Sequence, residues 1–231
     1  MKLLVVAAEA RELRGILGHA QHPRAARAAA DWGCQALLGA HELLLVANGA
    51  GAARAAAAVK GAAQAFRPEG IVSTGFCGAL EDKLELSSVV VATEILGARG
   101  RFRTWNVSSE SPHHLGVVST IDHIAQTAAE KSVLRQSGAS AVDMEAAAVA
   151  ECAAGLRLPF FCIKVVTDLA GEDLANDLNA ALRADGHFDT IGVLGSILGR
   201  PWARLPELVR LWSRSIRAAR ALGNFFADCR F

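Results

Sequence analysis

The sequence predicts an α/β fold built on a largely parallel or mixed sheet, and three observations carry that prediction. Short apolar runs of strand length alternate with helical segments of about 10–15 residues. The runs are apolar at consecutive positions, as in strands covered on both faces. The chain has 231 residues, 52% apolar and 20% charged, which is enough for one sizeable core and short for two independent domains. A chain this apolar offsets its ordering entropy by burial, so disorder is excluded.

Taken in order, Leu3–Ala8 reads as a first buried strand, and Gln35–Leu38 and Glu42–Ala47 as two more. The run Leu3–Ala8 is also too short for a signal-peptide core, and Glu9, Arg11, Glu12 and Arg14 follow at once. Gly51–Phe66 is an Ala-rich helix stopped at Arg67-Pro68. Ile71–Thr74 is a strand entering Gly75 and Gly78, Ser88–Ile95 a β-branched one, and Gly116–Ser119 a weaker one. Helical stretches follow around Ile124–Gln136 and at Met144–Leu156, with Ala141–Val142 between them. Phe160–Thr167 is a strand after Pro159, and helices are expected at about Asp173–Leu182 and Thr190–Leu198. The only linker signal is Gly199-Arg200-Pro201, so residues 1–199 read as one domain and 200–231 as a C-terminal extension of it.

Charge and cysteine usage narrow the partners. The formal net charge of +1 gives no reason to expect nucleic acid. That total hides a slightly acidic body and a basic end: Arg200, Arg204, Arg210, Arg214, Arg217, Arg220 and Arg230 stand there against Glu207 and Asp228. No uncharged apolar run reaches the roughly 18 residues of a membrane span, the best being broken by Glu81, Glu94 or Lys164. Five scattered cysteines without a C-x-x-C pair argue for a reducing, cytoplasmic setting and against a disulfide framework or zinc knuckle. Adjacent His113-His114 reads as a loop pair, and no metal is expected.

In an open α/β sheet ligands bind beyond the carboxyl ends of the strands. The polar residues there are Glu9 and Glu12, Asn48-Gly49-Ala50-Gly51, Thr74-Gly75-Phe76-Cys77-Gly78, Asp143-Met144-Glu145 and Thr167-Asp168. Several carboxylates and two Gly-rich turns suit acid-assisted chemistry on a ligand that approaches the backbone closely. A dinucleotide fingerprint at Gly49-Ala50-Gly51 fails, because Arg54 stands where the third glycine belongs. What remains there is a turn offering N–H groups to an anion or hydroxyl at a helix N-terminus. Cys77 reads as a small buried hydrophobe, and Asp168 as either an acid or an N-cap.

Three motifs in register carry a family resemblance. Asn48-Gly49-Ala50-Gly51 with its Ala-rich helix, Ser73-Thr74-Gly75-x-x-Gly78-Ala79-Leu80, and Val142-Asp143-Met144-Glu145-Ala146-Ala147-Ala148 with Val166-Thr167-Asp168 resemble the nucleoside phosphorylase and nucleosidase superfamily over roughly residues 1–182. The layout is similar to methylthioadenosine/S-adenosylhomocysteine nucleosidases. The later segment, Leu182-Arg183-Ala184-Asp185-Gly186 through Arg200-Pro201 to Leu205-Pro206-Glu207-Leu208, resembles the hopanoid-associated phosphorylases, credited with removing adenine from adenosylhopane. The resemblance implies a three-layer α/β/α fold with a mixed, twisted sheet, a homo-oligomer, and cleavage of the N-glycosidic bond of an adenosine-type nucleoside. Lipid-linked and soluble substrates both remain open, as does a non-catalytic nucleoside-binding protein.

The resemblance also implies roles. Asp168 would protonate purine N7, Glu145 would hold the ribose hydroxyls with Met144 on the sugar face, and Glu12, one turn into the helix after the first strand, would activate water. Gly49, Gly51, Gly75, Gly78 and Asp143 would shape the site, and His123-Ile124 would fall where relatives stack the base. Phe76-Cys77 depart from the small residues usual there, and Phe76 would narrow the sugar pocket or wall a 5′ substituent. No cofactor is implied. Phosphate as co-substrate would need cations near C1′, for which Arg54, Arg11 and Arg24 are candidates.

From Ala203 to Phe226, Leu205, Leu208, Val209, Trp212, Ile216, Ala219, Leu222 and Phe226 form an apolar helical stripe opposite the arginines. It predicts a C-terminal amphipathic helix docked on the domain or a second subunit, or laid on an anionic membrane with Trp202 and Trp212 as anchors.

Overall fold

A computed structural model describes residues 1–183, 185–187 and 201–231, with side chains throughout except at 201–205 and 207. The helix expected at Thr190–Leu198, the break at Gly199-Arg200-Pro201, and the side chains of Trp202 and Leu205 lie outside the described residues. The strands are β1 (Lys2–Ala7), β2 (Gln21–Ala25), β3 (Trp32–Leu38), β4 (His41–Ala47), β5 (Gly70–Ala79), β6 (Val89–Gly97), β7 (Gly100–Arg103), β8 (His114–Thr120), β9 (Ala141–Asp143) and β10 (Phe160–Asp168). The helices are α1 (Arg14–His19), α2 (Ala52–Phe66), α3 (Ala128–Arg135), α4 (Ala146–Leu156), α5 (Leu178–Ala181) and α6 (Pro201–Asp228).

One mixed sheet runs in the order β10-β6-β8-β9-β5-β1-β4-β3-β2, with β7 on β6. Strand β10 also pairs with β5 in parallel, so half of the sheet curls into a closed ring. The consecutive apolar runs have the expected cause. In β1, Leu4 and Val6 face Ala55, Val59 and Val149 of α2 and α4, while Leu3 and Val5 face Ile16 of α1 and Leu222, Phe225 and Phe226 of α6. This is the expected three-layer α/β/α arrangement with a C-terminal helix.

The differences from expectation are local. Strand β2 is exposed at every position and carries Pro23, which an edge strand tolerates, so no apolar pattern announced it. Strand β5 does not stop at Thr74 but continues through Gly75 and Gly78 to Ala79. Helix α1 starts two residues after Glu12, which therefore lies in a turn and not inside a helix. His114 opens β8, and the His113 ring meets Phe225 edge-on at 5.4 Å, so neither is a plain loop residue.

Two expected helices shrink for a shared reason. Asp173 accepts from Ala128 N at 2.7 Å, and Leu174 N donates to Gln126 O at 2.8 Å. Asn179 holds both backbone groups of Ile124, at 2.8 and 2.9 Å. The two segments satisfy each other's backbone groups, leaving α3 to start at Ala128 and only Leu178–Ala181 helical in the second.

Candidate active site

These elements surround one cavity of about 770 Å³. The turn after β1 supplies Glu9, Arg11 and Glu12; the turn after β4 supplies Gly49 and Ala50; β5 supplies Phe76, Cys77 and Gly78. Asp143, Met144 and Glu145 follow β9, and Thr167 and Asp168 end β10. His123 and Ile124 close a further side.

Glu12 is buried and turned back on its own loop, accepting from Glu9 N at 2.9 Å and from Phe76 N at 3.0 Å. Burial pushes its carboxyl upward, against the pull of those two N–H groups. The approach is allowed by Gly75, where φ is +115° and a Cβ would lie 2.9 Å from Glu12 Oε2. Glu145 Oε1 accepts from Gly51 N at 2.7 Å, so the anion seated on the glycine turn is the protein's own carboxylate. Burial, with Asp143 nearby, raises Glu145 to about 7. Met144 beside it is half-buried.

Asp168 sits 2.5 Å from Lys131 Nζ, and its Oδ1 accepts from Thr167 Oγ1 at 3.1 Å. Burial still holds its carboxyl above the ordinary value, although Lys131 opposes this. No helix follows Asp168 directly, so an N-cap role has no helix to cap. Gly78 permits the crowding: a Cβ there would lie 2.8 Å from Asp168 Oδ2.

Asp143 faces inward. Its Oδ2 accepts from Lys164 Nζ at 2.7 Å and from Ala146 N at 2.8 Å, and its Oδ1 from Thr120 Oγ1 at 2.7 Å. It thereby caps the start of α4 and pins the Met144-Glu145 turn. Lys164 itself is 1% exposed and donates to Thr74 O at 3.1 Å, a single cation beneath Asp143 and Glu145.

The remaining predicted residues are less central. Cys77 is 4% exposed, and burial pushes its thiol well above the ordinary range, consistent with a small buried hydrophobe. His123 is exposed, and hydrogen bonds to Asp122 at 2.7 Å and Glu130 at 2.5 Å raise it. Arg54 is engaged by Asp31 and by Asn48 O, each at 2.6 Å, and does not line the cavity. Exposed Arg24 lies on β2 away from it, whereas Arg11 lines it and pairs with Glu9 at 2.7 Å. Among the described residues no cluster of His, Cys, Asp or Glu could hold a metal ion.

Sequence reasoning missed Lys131, and missed Lys164 as anything but a break in an apolar run. It also missed the apolar wall formed by Leu174, Leu178, Leu208, Leu211 and Trp212. A lone lysine inside the apolar run Phe160–Val166 was the available signal for Lys164. Lys131, on a helix beside Glu130 and Arg135, carried none.

Helix α6 divides in two. Ala218, Ala219, Leu222, Phe225 and Phe226 are buried on the core, while Val209 and Trp212 stay 58% and 64% exposed. Arg214 and Arg210 reach Glu172 at 2.6 and 3.1 Å. No helix among the described residues is long and apolar enough to cross a membrane.

Known proteins resemble this chain in sequence and fold. A 5′-methylthioadenosine nucleosidase from Arabidopsis thaliana is 28% identical over 127 residues, a match spanning about half of each protein, 48% of both. A 5′-methylthioadenosine/S-adenosylhomocysteine nucleosidase from Bacillus cereus is 23% identical over 203 residues, covering 75% of this chain and 88% of that protein. The structure of the corresponding Streptococcus pneumoniae nucleosidase, solved with a transition-state inhibitor, superposes with a TM-score of 0.72 at 20% identity, covering 99% of both chains. The family model described as "Phosphorylase superfamily" matches residues 2–114 and 106–187, so the chain belongs to the phosphorylase superfamily.

Proposed function

We propose that the protein cleaves the N-glycosidic bond of an adenosine-type nucleoside and releases adenine. The observation that carries this reading is the set of three carboxyl groups, Glu12, Glu145 and Asp168, all raised by burial and all lining one cavity. Burial favours the protonated form of a carboxyl, which is the form Asp168 needs as a general acid. Asp168 gives its proton to purine N7, and the electrons of the C1′–N9 bond pass to the base. The cation left on the sugar is steadied by Glu145, which accepts from the 2′- and 3′-hydroxyls. Glu12 takes a proton from the water that attacks C1′. Names and folds of the relatives support the reaction class.

The finer part of the proposal concerns the 5′ end. Leu174, Leu178, Leu208, Leu211 and Trp212 line the same cavity, and this apolar wall favours a large 5′ substituent, a hopanoid-type lipid, over a small polar one. Exposed Val209 and Trp212, beside the arginines of α6, support contact with an anionic membrane from which such a substrate would be drawn.

The test is adenine release from adenosine, methylthioadenosine and a 5′-alkyl adenosine, each with and without phosphate. The proposal expects release without phosphate and the highest kcat/KM for the alkyl compound. Release only with phosphate would replace water by phosphate as nucleophile, and equal rates would remove the lipid substrate.

A further inference from the structure

Lys131 is one of two fully buried lysines among the described residues, and the mechanism above does not use it. It sits on α3, an amphipathic helix whose other charged residues face solvent, yet it is 0% exposed. Its Nζ meets Asp168 Oδ2 at 2.5 Å, Leu169 O at 2.8 Å and Glu172 O at 3.4 Å. An ammonium has three protons to give, and three acceptors take them. Burying a lysine without a catalytic or structural return is costly, and here its charge lies against the carboxyl assigned to protonate the base.

The surroundings direct that charge to Asp168. Glu172, in the loop after β10, is the other carboxylate near Lys131. Burial alone would raise it, but Arg214 of α6 at 2.6 Å and Arg210 at 3.1 Å hold it below the ordinary range. Glu172 is thus neutralised from α6. From β5 the facing group is Cys77, which burial keeps as a neutral thiol, and from β10 it is the uncharged Thr167 hydroxyl. Lys131 remains as the counter-charge of Asp168. With Oδ2 taken by Lys131, Oδ1, which meets the neutral Thr167 hydroxyl and no cation, is the oxygen that presents a proton to the cavity.

We infer that Lys131 is the positioning residue of the general acid, fixing which oxygen of Asp168 carries the proton and setting the pH above which that proton is lost. The inference rests on Asp168 being the acid. Burial draws the carboxyl upward and Lys131 draws it down, and the net direction is upward, toward the protonated form that donates to N7.

The experiment is the pH profile of kcat/KM for adenine release by the full chain and by Lys131→Met, Lys131→Arg and Asp168→Asn. Lys131→Met leaves burial unopposed. Its basic limb moves to higher pH by about 1–3 units, and its plateau kcat falls about tenfold, because a weaker acid donates more slowly. Lys131→Arg keeps the charge, and its limb stays in place. A purely structural lysine would lower the whole profile without moving the limb. An unmoved limb in Lys131→Met, alongside loss of activity in Asp168→Asn, overturns the role of Lys131 and spares that of Asp168. Full activity in Asp168→Asn overturns the acid and this inference with it. Should the methionine variant fail to fold, the ¹⁵N signal of Lys131 Nζ is followed in the wild-type chain. It inflects at the pH of the kinetic limb, and a flat signal through that pH overturns the inference.

Discussion

Gly78→Ala tests the geometry of the acid with a single methyl group. The backbone at Gly78 is not in the left-handed region, so the effect of alanine is purely one of space. The added Cβ would lie 2.8 Å from Asp168 Oδ2 and 3.2 Å from Val142 Cγ1, where ordinary contact begins at 3.4 Å. Asp168 must therefore withdraw by about 0.6 Å, the difference of the first and last of those distances. A carboxylate on a free side chain would do so at little expense. This one is tied to Lys131 at 2.5 Å and to Thr167 at 3.1 Å, so the shift strains a buried ion pair. Overpacking of this kind costs about 1–3 kcal/mol of stability. A misplacement approaching 1 Å lowers the rate by up to about 10²-fold. Steady-state adenine release should show kcat reduced by about 10- to 100-fold with KM little changed, and a thermal melt should show a modest loss. Wild-type kcat in a folded Gly78→Ala chain would refute the placement of Asp168 at the reacting base.

Other consequences follow from the buried charges and the apolar wall. Because burial raises Glu145 to about 7, its protonated form stabilises the fold at low pH, and that contribution is lost as pH rises through about 7. Relative to wild type, Glu145→Gln should melt progressively higher between pH 5 and pH 8 while losing nucleoside affinity; a pH-independent difference in Tm would contradict this. Lys164→Met leaves Asp143 buried without its cation, and urea unfolding should show a loss of about 3–5 kcal/mol; less than 1 kcal/mol would show the pair to be dispensable. Trp212→Ala should lower kcat/KM about tenfold for a 5′-alkyl adenosine and leave adenosine itself unchanged, as the proposed apolar wall for the 5′ substituent requires. Equal losses on both substrates would place Trp212 elsewhere in the reaction.

The buried strands were legible because both faces are covered: Leu3–Ala8 and Phe160–Val166 show that as unbroken apolar runs. The edge strand β2 was not, since none of its residues is buried and no pattern is needed to place them. The segment 173–182 has a helical composition, but Asp173 and Leu174 make their hydrogen bonds with Ala128 and Gln126 at the start of α3, a use visible only when both segments are in place. Around the cavity, the carboxylates and glycines could be picked out by type and spacing. The reason for two of the glycines could not, because Gly75 and Gly78 are small to admit Glu12 and Asp168 from remote parts of the chain. The cations that set the behaviour of those carboxylates were the least legible. Lys131 and Lys164 read as ordinary lysines until folding removes them from water.

The central claim is that Asp168 delivers the proton that frees the base. It is tested most directly by adenine release from an adenosine-type substrate, comparing wild type with Asp168→Asn at equal far-ultraviolet circular dichroism. The account predicts a loss of at least about 10²-fold in the variant, the lower end of what a positioned acid supplies. Its Tm should also fall, because Lys131 is left buried without a counter-charge. Undiminished adenine release by a folded Asp168→Asn chain would contradict it.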